Sequence, residues 1–264
     1  MTDAHCHIWD LLDFEKCAEE ERRKTRTAAA ASAWNIEQFE FHEDLAKKAK
    51  EDGAPPLFLC YALHPQLPAE KKYSLARGIE LLFSLAVETR LDAVGETGFD
   101  LYDEKFKAAE SIQDEIFVSH LDVALHWDLP MILHLRRAMH KIFPFMPQLK
   151  KLPAVVFHSW PGTTAEAEAI LKKGINAYFS FGTAVLKNHK EAIASAGILP
   201  ADRILLETDA PYQPLRGKEF STWRDLSQIC KCIADLRKDA GSPCASPEEL
   251  EAQTTENFFR VFGG

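Results

Sequence analysis

The stretch TDAHCHI, residues 2–8, places His5 and His7 one residue apart almost at the start of the chain. In a β-strand that spacing puts both imidazoles on one face, where they can reach a single ion. Alone, the pair fits a loosely ordered chain end equally well. The reading therefore depends on whether later segments repeat the pattern. They do: apolar, strand-like runs recur at 29–34 (AAASAW), 57–63 (LFLCYAL), 92–96 (DAVGE), 130–135 (PMILHL), 153–158 (PAVVFH), 175–181 (INAYFSF) and 203–208 (RILLET). The alanine-rich run 29–34 also fits the tail of a helix beginning near Phe14.

Amphipathic helical patterns fill most of the gaps, at 36–51, 69–90, 104–127, 163–173, 187–196, 222–239 and 246–261. Turn residues mark the boundaries at Gly53–Pro56, Leu129–Pro130, Leu152–Pro153 and Lys173–Gly174. Eight strands alternating with helices in 264 residues predict an α/β protein, either a (β/α)8 TIM-like barrel or an open doubly wound sheet. No repeat, linker or composition shift divides the chain, so residues 1–264 read as a single domain. The mixed-charge segment Glu15–Thr27 reads as a solvated helix face.

Composition narrows the function classes. Hydrophobic residues at 46% and charged residues at 27% are ordinary for a globular protein. No run of about 18 apolar residues occurs, so no membrane span is expected. The start lacks a basic segment followed by an apolar one, and the six cysteines show no CxxC spacing. A cytoplasmic protein with reduced thiols is the expectation. The net charge of −9, from 31 Lys+Arg against 40 Asp+Glu, argues against broad clamping of a nucleic-acid backbone. It leaves room for a phosphate held locally by metal ions and a few basic side chains.

The positions of the polar residues favour the barrel. His5 and His7 close the first strand, Glu96 the fourth, His134 the fifth and His158 the sixth, while Asp209 follows the eighth. In a barrel these strand ends converge on one face, where active sites lie. Each has a plainer reading: Asp209 as a helix cap, His134 or His158 as a satisfied core histidine. Together, four imidazoles and two carboxylates are costly to bury unless a metal offsets them. Two ions about 3.5–4 Å apart would stabilise an in-line displacement at phosphorus. Asp209 would then ligate one ion and orient or deprotonate the attacking water. Imidazole-rich sites lean toward Zn, Mn or Ni over Mg. His42, His120, His126, His140 and His189 fall outside the pattern and read as structural or exposed. Arg136, two residues beyond His134, shares its strand face and could fork onto a phosphate oxygen. Trp160, Phe99, Tyr102 and Tyr212 follow the ligands closely and could stack bases, or simply pack under the loops. Lys187, Arg216 and Lys218 follow the last two strands, where barrels bind phosphate.

The blocks DAHCH, ALHPQ, GETGFDLY, PMILHLR, VFHSW, AYFSFG and RILLETDAPY, with the closing TTENFFRVF, resemble in order and spacing the signature blocks of the TatD family of metal-dependent deoxyribonucleases, within the amidohydrolase-like barrels. The resemblance covers nearly the whole chain. It implies a TIM-like barrel with its site at the C-terminal strand ends. It implies that His5, His7, Glu96 and Asp209 hold one divalent ion, and that Glu96, His134 and His158 hold a second, with Glu96 shared. It adds Mg to Mn and Zn as working cofactors and places His64 and Arg136 beside the substrate. The activity it implies is 3′→5′ trimming of single-stranded or frayed DNA, in repair, turnover or antiviral defence. Departures lie in QPLRGKEFSTW (213–223), where the family often has Asn-Pro, in His158-Ser159-Trp160 where it usually has His-Cys-Phe, and across residues 10–56. These touch the outer substrate contacts and not the ligands. Hydrolysis of a small ester, amide or aminoacyl bond is the alternative reaction. A catalytically idle barrel serving as a protein partner is the third reading, disfavoured by the complete ligand set.

Overall fold

Thr2–Cys6 (β1), Ala28–Ala33 (β2), Leu57–Tyr61 (β3), Ala93–Asp100 (β4), Met131–Arg136 (β5), Val155–Phe157 (β6), Ala177–Phe181 (β7) and Ile204–Leu206 (β8) pair in sequential order, every pair parallel. They come from a computed structural model that describes residues 1–70 and 74–263. The ring closes between the last strand and the first. The His7 N–H donates to the Ala210 carbonyl at 2.7 Å, and the Asp209 N–H to the His5 carbonyl at 3.0 Å. Those two bonds settle the choice between barrel and open sheet.

The alanine run is a strand. Alanine is a poor strand former in isolation, but here both faces of β2 are covered. Ala29, Ala30 and Ala31 are fully buried. The barrel interior is built from Ala4, Ala28, Ala30, Cys60, Ala93, Ile132, Val156, Tyr178 and Leu205. Small side chains on the early strands face large ones on the later strands. Phe258, Val261 and Phe262 of the final helix, Pro247–Phe262, join this interior cluster. Asn257 fixes that helix by donating to the carbonyls of Ala201 and Ile204, both at 2.8 Å. Cys6 belongs to the separate, larger layer between barrel and helices, as its place between the two histidines requires.

Several helices differ from the sequence reading. The expected helix 69–90 is Leu67–Glu70 and Leu75–Val87, with 71–73 outside the described residues. The expected 104–127 breaks into Glu104–Lys107 and Glu110–His126. After β5 a 3-10 turn, Met139–Phe145, runs into the one-turn helix Met146–Leu149; Pro144 and Pro147 remove the N–H groups a longer helix would need. The charged segment Glu15–Thr27 contains the helix Ala18–Lys24, which is not simply a solvated face. Arg22 is fully buried and donates to the carbonyls of Thr27 (2.6 Å) and Pro55 (2.8 Å), tying the helix to the chain entering β2 and β3. Among the described residues no helix is long and apolar enough to cross a membrane.

Candidate metal centre

Every ligand candidate named from the sequence arrives at one point. The Nε2 atoms of His5 and His7 lie 3.1 Å apart, and both are 3.3 Å from Glu96 Oε2. Asp209 Oδ1 stands 3.6 Å from the first and 3.5 Å from the second. The other carboxylate oxygen of Glu96 faces a different group: His134 Nδ1 at 2.7 Å, His64 Nε2 at 3.2 Å and His158 Nε2 at 3.5 Å. One carboxylate thus presents each of its oxygens to a separate set of imidazoles. Two further groupings overlap the implied ones. His64, read as a substrate contact, forms a compact trio with Glu96 and His134, while His158 gathers with His5 and Asp209.

The backbone shows how these side chains are aimed. The β1–β2 pairing shifts register between Asp3 and Cys6, and the β4–β5 pairing between Val94 and Glu96. Such irregularities re-aim a side chain beside a site; they sit where His5 and Glu96 turn inward. Asp209 and Ser159 adopt left-handed conformations, φ +55° and +45°, which cost a non-glycine residue roughly 1–2 kcal/mol. The Asp209 N–H bond to His5 and a 2.9 Å bond from Ser159 N–H to Glu207 hold them there. At Gly98, φ +139°, a Cβ would collide with the carbonyl oxygen of His134. Only glycine lets β4 lie this close to the strand bearing His134.

A ring of outer groups holds these side chains in place, and the sequence reading missed it. Ser32 Oγ meets His5 Nδ1 at 3.1 Å, Asp100 Oδ2 meets His134 Nε2 at 3.3 Å, and Glu207 Oε2 meets His158 Nδ1 at 3.0 Å. Glu207 also accepts from Ser159 Oγ (2.7 Å) and Ser180 Oγ. The Gln213 amide donates to Asp209 Oδ2 at 2.8 Å. Asp3, fully buried, accepts from Thr208 Oγ1 at 2.6 Å and from the His5 N–H at 3.2 Å. A usable signal existed for two of these. Asp100 shares the parity of Glu96 along β4, and Glu207 stands two residues before Asp209 just past the end of β8.

The electrostatics follow from burial set against charge. Burial alone would neutralise Glu96, yet His64 and His5, with hydrogen bonds from His134 and His5, hold its carboxyl well below the usual carboxylate range. Asp209 likewise stays at about 2: burial opposes ionisation, but His158, His7 and His5 outweigh it. Burial and the neighbouring His158 depress His5. His7 and His158 resist the same burial and rise to about 10, His7 through Asp209 and Glu96, His158 through Glu207 and Asp209. The donor set fits divalent cations. Ligand-type atoms of both carboxylates and the imidazoles converge within 4.8 Å in three overlapping groups, and the outward nitrogens of His5, His134 and His158 are held by outer partners, as metal-ligating histidines require.

The centre forms the floor of a cavity of about 840 Å³. Arg136, at the exposed end of β5, lines it, as do Trp34, Leu67 and His189. Tyr212 stands at the rim, 49% exposed, its ring edge-on to His7 and its hydroxyl 3.0 Å from Asp10. Trp160 does not offer an open stacking face. It is 2% exposed, wedged against Phe157 and Phe179, and its indole N–H donates to Ser195. Phe99 is wholly buried against Phe117. Lys187 is committed to the Gln213 carbonyl and Lys218 to Asp225, and neither these nor Arg216 lines the cavity. His42 and His120 are buried, as expected of structural histidines.

Comparison with known proteins agrees with this geometry. The family described as TatD related DNase matches residues 2–263. The chain is 28% identical over 273 residues to an uncharacterized metal-dependent hydrolase of Buchnera aphidicola, covering 99% of this chain and 96% of the relative. It is 33% identical over 190 residues to the 3′-5′ ssDNA/RNA exonuclease TatD of Cronobacter sakazakii, covering 69% and 68%. For the fold, the crystal structure of YJJV, a TatD homolog from Escherichia coli K12, superposes with a TM-score of 0.81 at 24% identity, covering 100% of this chain and 98% of that one. With the strand-end cluster of His, Glu and Asp and the barrel closure beside it, the match along the whole length shows that the chain belongs to the TatD family of metal-dependent hydrolases.

Proposed function

We propose that this protein hydrolyses phosphodiester bonds in nucleic acid, trimming single-stranded or frayed 3′ ends with two divalent ions, Mg, Mn or Zn, at the centre. The observation that carries the reading is Glu96, whose two oxygens face two sets of imidazoles on the floor of a cavity open to Arg136. His5, His7, Glu96 and Asp209 would hold one ion, and Glu96, His134 and His158, with His64 adjacent, the other. Such ions supply Lewis-acid charge at phosphoryl oxygens and make water a stronger acid.

The chain's own groups do the positioning. Asp209, anionic throughout the neutral range, is too weak a base to be a final proton acceptor. Its role is to orient the attacking water while Gln213 steadies its second oxygen. Arg136 forks onto a non-bridging phosphate oxygen. Tyr212 borders the leaving end of the substrate and His64 the phosphate. Trp160 closes the wall beside His158 instead of stacking a base. The relative from Cronobacter sakazakii, named a 3′-5′ ssDNA/RNA exonuclease, supports polarity and substrate alike.

One observation favours a second reading. Asp10, Glu70 and Glu191 also line the cavity, and carboxylate walls suit a small uncharged ester or amide better than a polyanion. A single assay separates the two. Single-stranded DNA labelled at the 3′ or 5′ end is incubated with Mg, Mn or Zn, or with EDTA. Metal-dependent shortening from the 3′ end is expected, with Asp209→Asn slower by at least a hundredfold. No shortening from either end with any of these metals contradicts the nuclease reading.

A further inference from the structure

A second cluster, at the ends of β4 and β5, shares only Arg136 with the reaction described above. The Arg136 guanidinium carbon lies 3.7 Å from the centre of the Tyr102 ring, and that of Arg137 lies 4.6 Å from the same centre. All three residues are exposed. Two like charges on one ring repel each other, and among the described residues neither guanidinium has a carboxylate or hydrogen-bond partner to offset this. Nearby carboxylates are engaged elsewhere. Asp100 accepts from His134, Gln66 and the Tyr102 N–H, Asp103 from the Lys105 N–H, and Glu104 pairs with Lys107.

The backbone builds this arrangement. Asp100 pairs in register with Arg136, and the Leu101 N–H donates to the Arg136 carbonyl at 2.9 Å, which brings Tyr102 beside the end of β5. Arg137 is left-handed, φ +56°, a strained conformation for a residue with a side chain. The chain thereby bends just past Arg136, and both guanidiniums meet one phenol. Stacked on an aromatic face, a guanidinium keeps its N–H edge free for a phosphate.

We propose that Arg137 and Tyr102, together with Arg136, form a second phosphate subsite, which takes the phosphate next to the scissile one in an oligonucleotide. The proposal rests on the phosphodiester reading above. In a chain of net charge −9, with Asp10, Glu70 and Glu191 in the cavity walls, the stacked pair is the cationic edge along which a polyanion can leave the mouth. Arg136 serves both places, reaching the cavity on one side and the ring on the other. Substrates with several phosphates gain from this edge; a single diester does not reach it.

The test measures binding apart from turnover. Fluorescein-labelled hexathymidylate is titrated with the full chain in EDTA, over a series of salt concentrations, for the parent protein, Arg137→Ala, Arg137→Lys and Tyr102→Ala. Arg137→Ala is expected to weaken binding about tenfold and to lower the slope of log K against log salt by about 0.7, one single-strand phosphate contact. Arg137→Lys should restore the slope but only part of the affinity, because the charge returns without the fork. Tyr102→Ala should weaken binding with the slope kept. Unchanged affinity and slope in Arg137→Ala, with a parent-like melting curve, would overturn the subsite, as would a parent protein that binds no oligonucleotide. Hydrolysis of bis(p-nitrophenyl) phosphate by the parent reads the reaction separately. Turnover there with no Arg137 effect on binding removes the subsite and keeps the reaction, and the reverse result removes the reaction and keeps the subsite.

Discussion

Glu96 is the residue on which the site turns, and Glu207 shows how much of its order comes from behind. The members of the cluster were legible because each closes or follows an apolar run, a position where a buried His or carboxylate needs a partner. Glu207 sits inside such a run and so reads as part of the strand. Only its place two residues before Asp209 marks it. It is fully buried and accepts from His158, Ser159 and Ser180. Glu207→Gln keeps the shape but gives up the charge that raises His158. Metal affinity should fall by about 10–100-fold, measured by competition with a chromogenic chelator; an unchanged affinity would remove Glu207 from the site. The aromatic side chains were the hardest to read. Whether a Trp after a ligand faces the cavity or the core depends on loop packing, and Trp160 packs against Phe157 and Phe179.

At the scale of elements, β4 carries the most information per residue. Alternation alone cannot place both Ala93 in the barrel interior and Glu96 at its mouth. The register shift between Val94 and Glu96 does so, and no periodicity reveals it. Gly98 is the other requirement, since its close approach to the His134 carbonyl sets the spacing of the two ligand strands. Gly98→Ala forces those strands apart at a left-handed position. It should lower unfolding stability by about 2–4 kcal/mol, read from the denaturation midpoint, and weaken metal binding alongside it. A stable variant with parent-like metal affinity would show that the spacing is not critical. Helix ends were read less well than strands. Charge runs conceal buried members such as Arg22, whose partners are carbonyls of distant segments.

For the whole molecule, the alternation of eight strands with helices carried the barrel, while its closure depended on bonds between residues about 200 positions apart. Stability depends on buried histidines away from the centre. His120 is fully buried, accepts from the Leu63 N–H at 2.9 Å and contacts the Ile116 carbonyl at 2.7 Å. Burial lowers it from 6.5 to about 4, so it folds neutral. The unfolded chain takes up that proton first. Its contribution is therefore complete above pH 6.5 and is lost as pH falls toward about 4, a change of up to about 3 kcal/mol. Urea unfolding of the metal-free protein should show this slope, shallower in His120→Gln; equal slopes would contradict the assignment. The most direct test of the account is metal stoichiometry. The chain is stripped with a chelator, loaded with Mn or Zn, separated from free ion by gel filtration and analysed by mass spectrometry for metal per chain. Two ions on the parent protein and fewer than one on Glu96→Gln is the predicted result, because both donor sets depend on that one carboxylate. A Glu96→Gln protein that keeps the parent's full complement would contradict it.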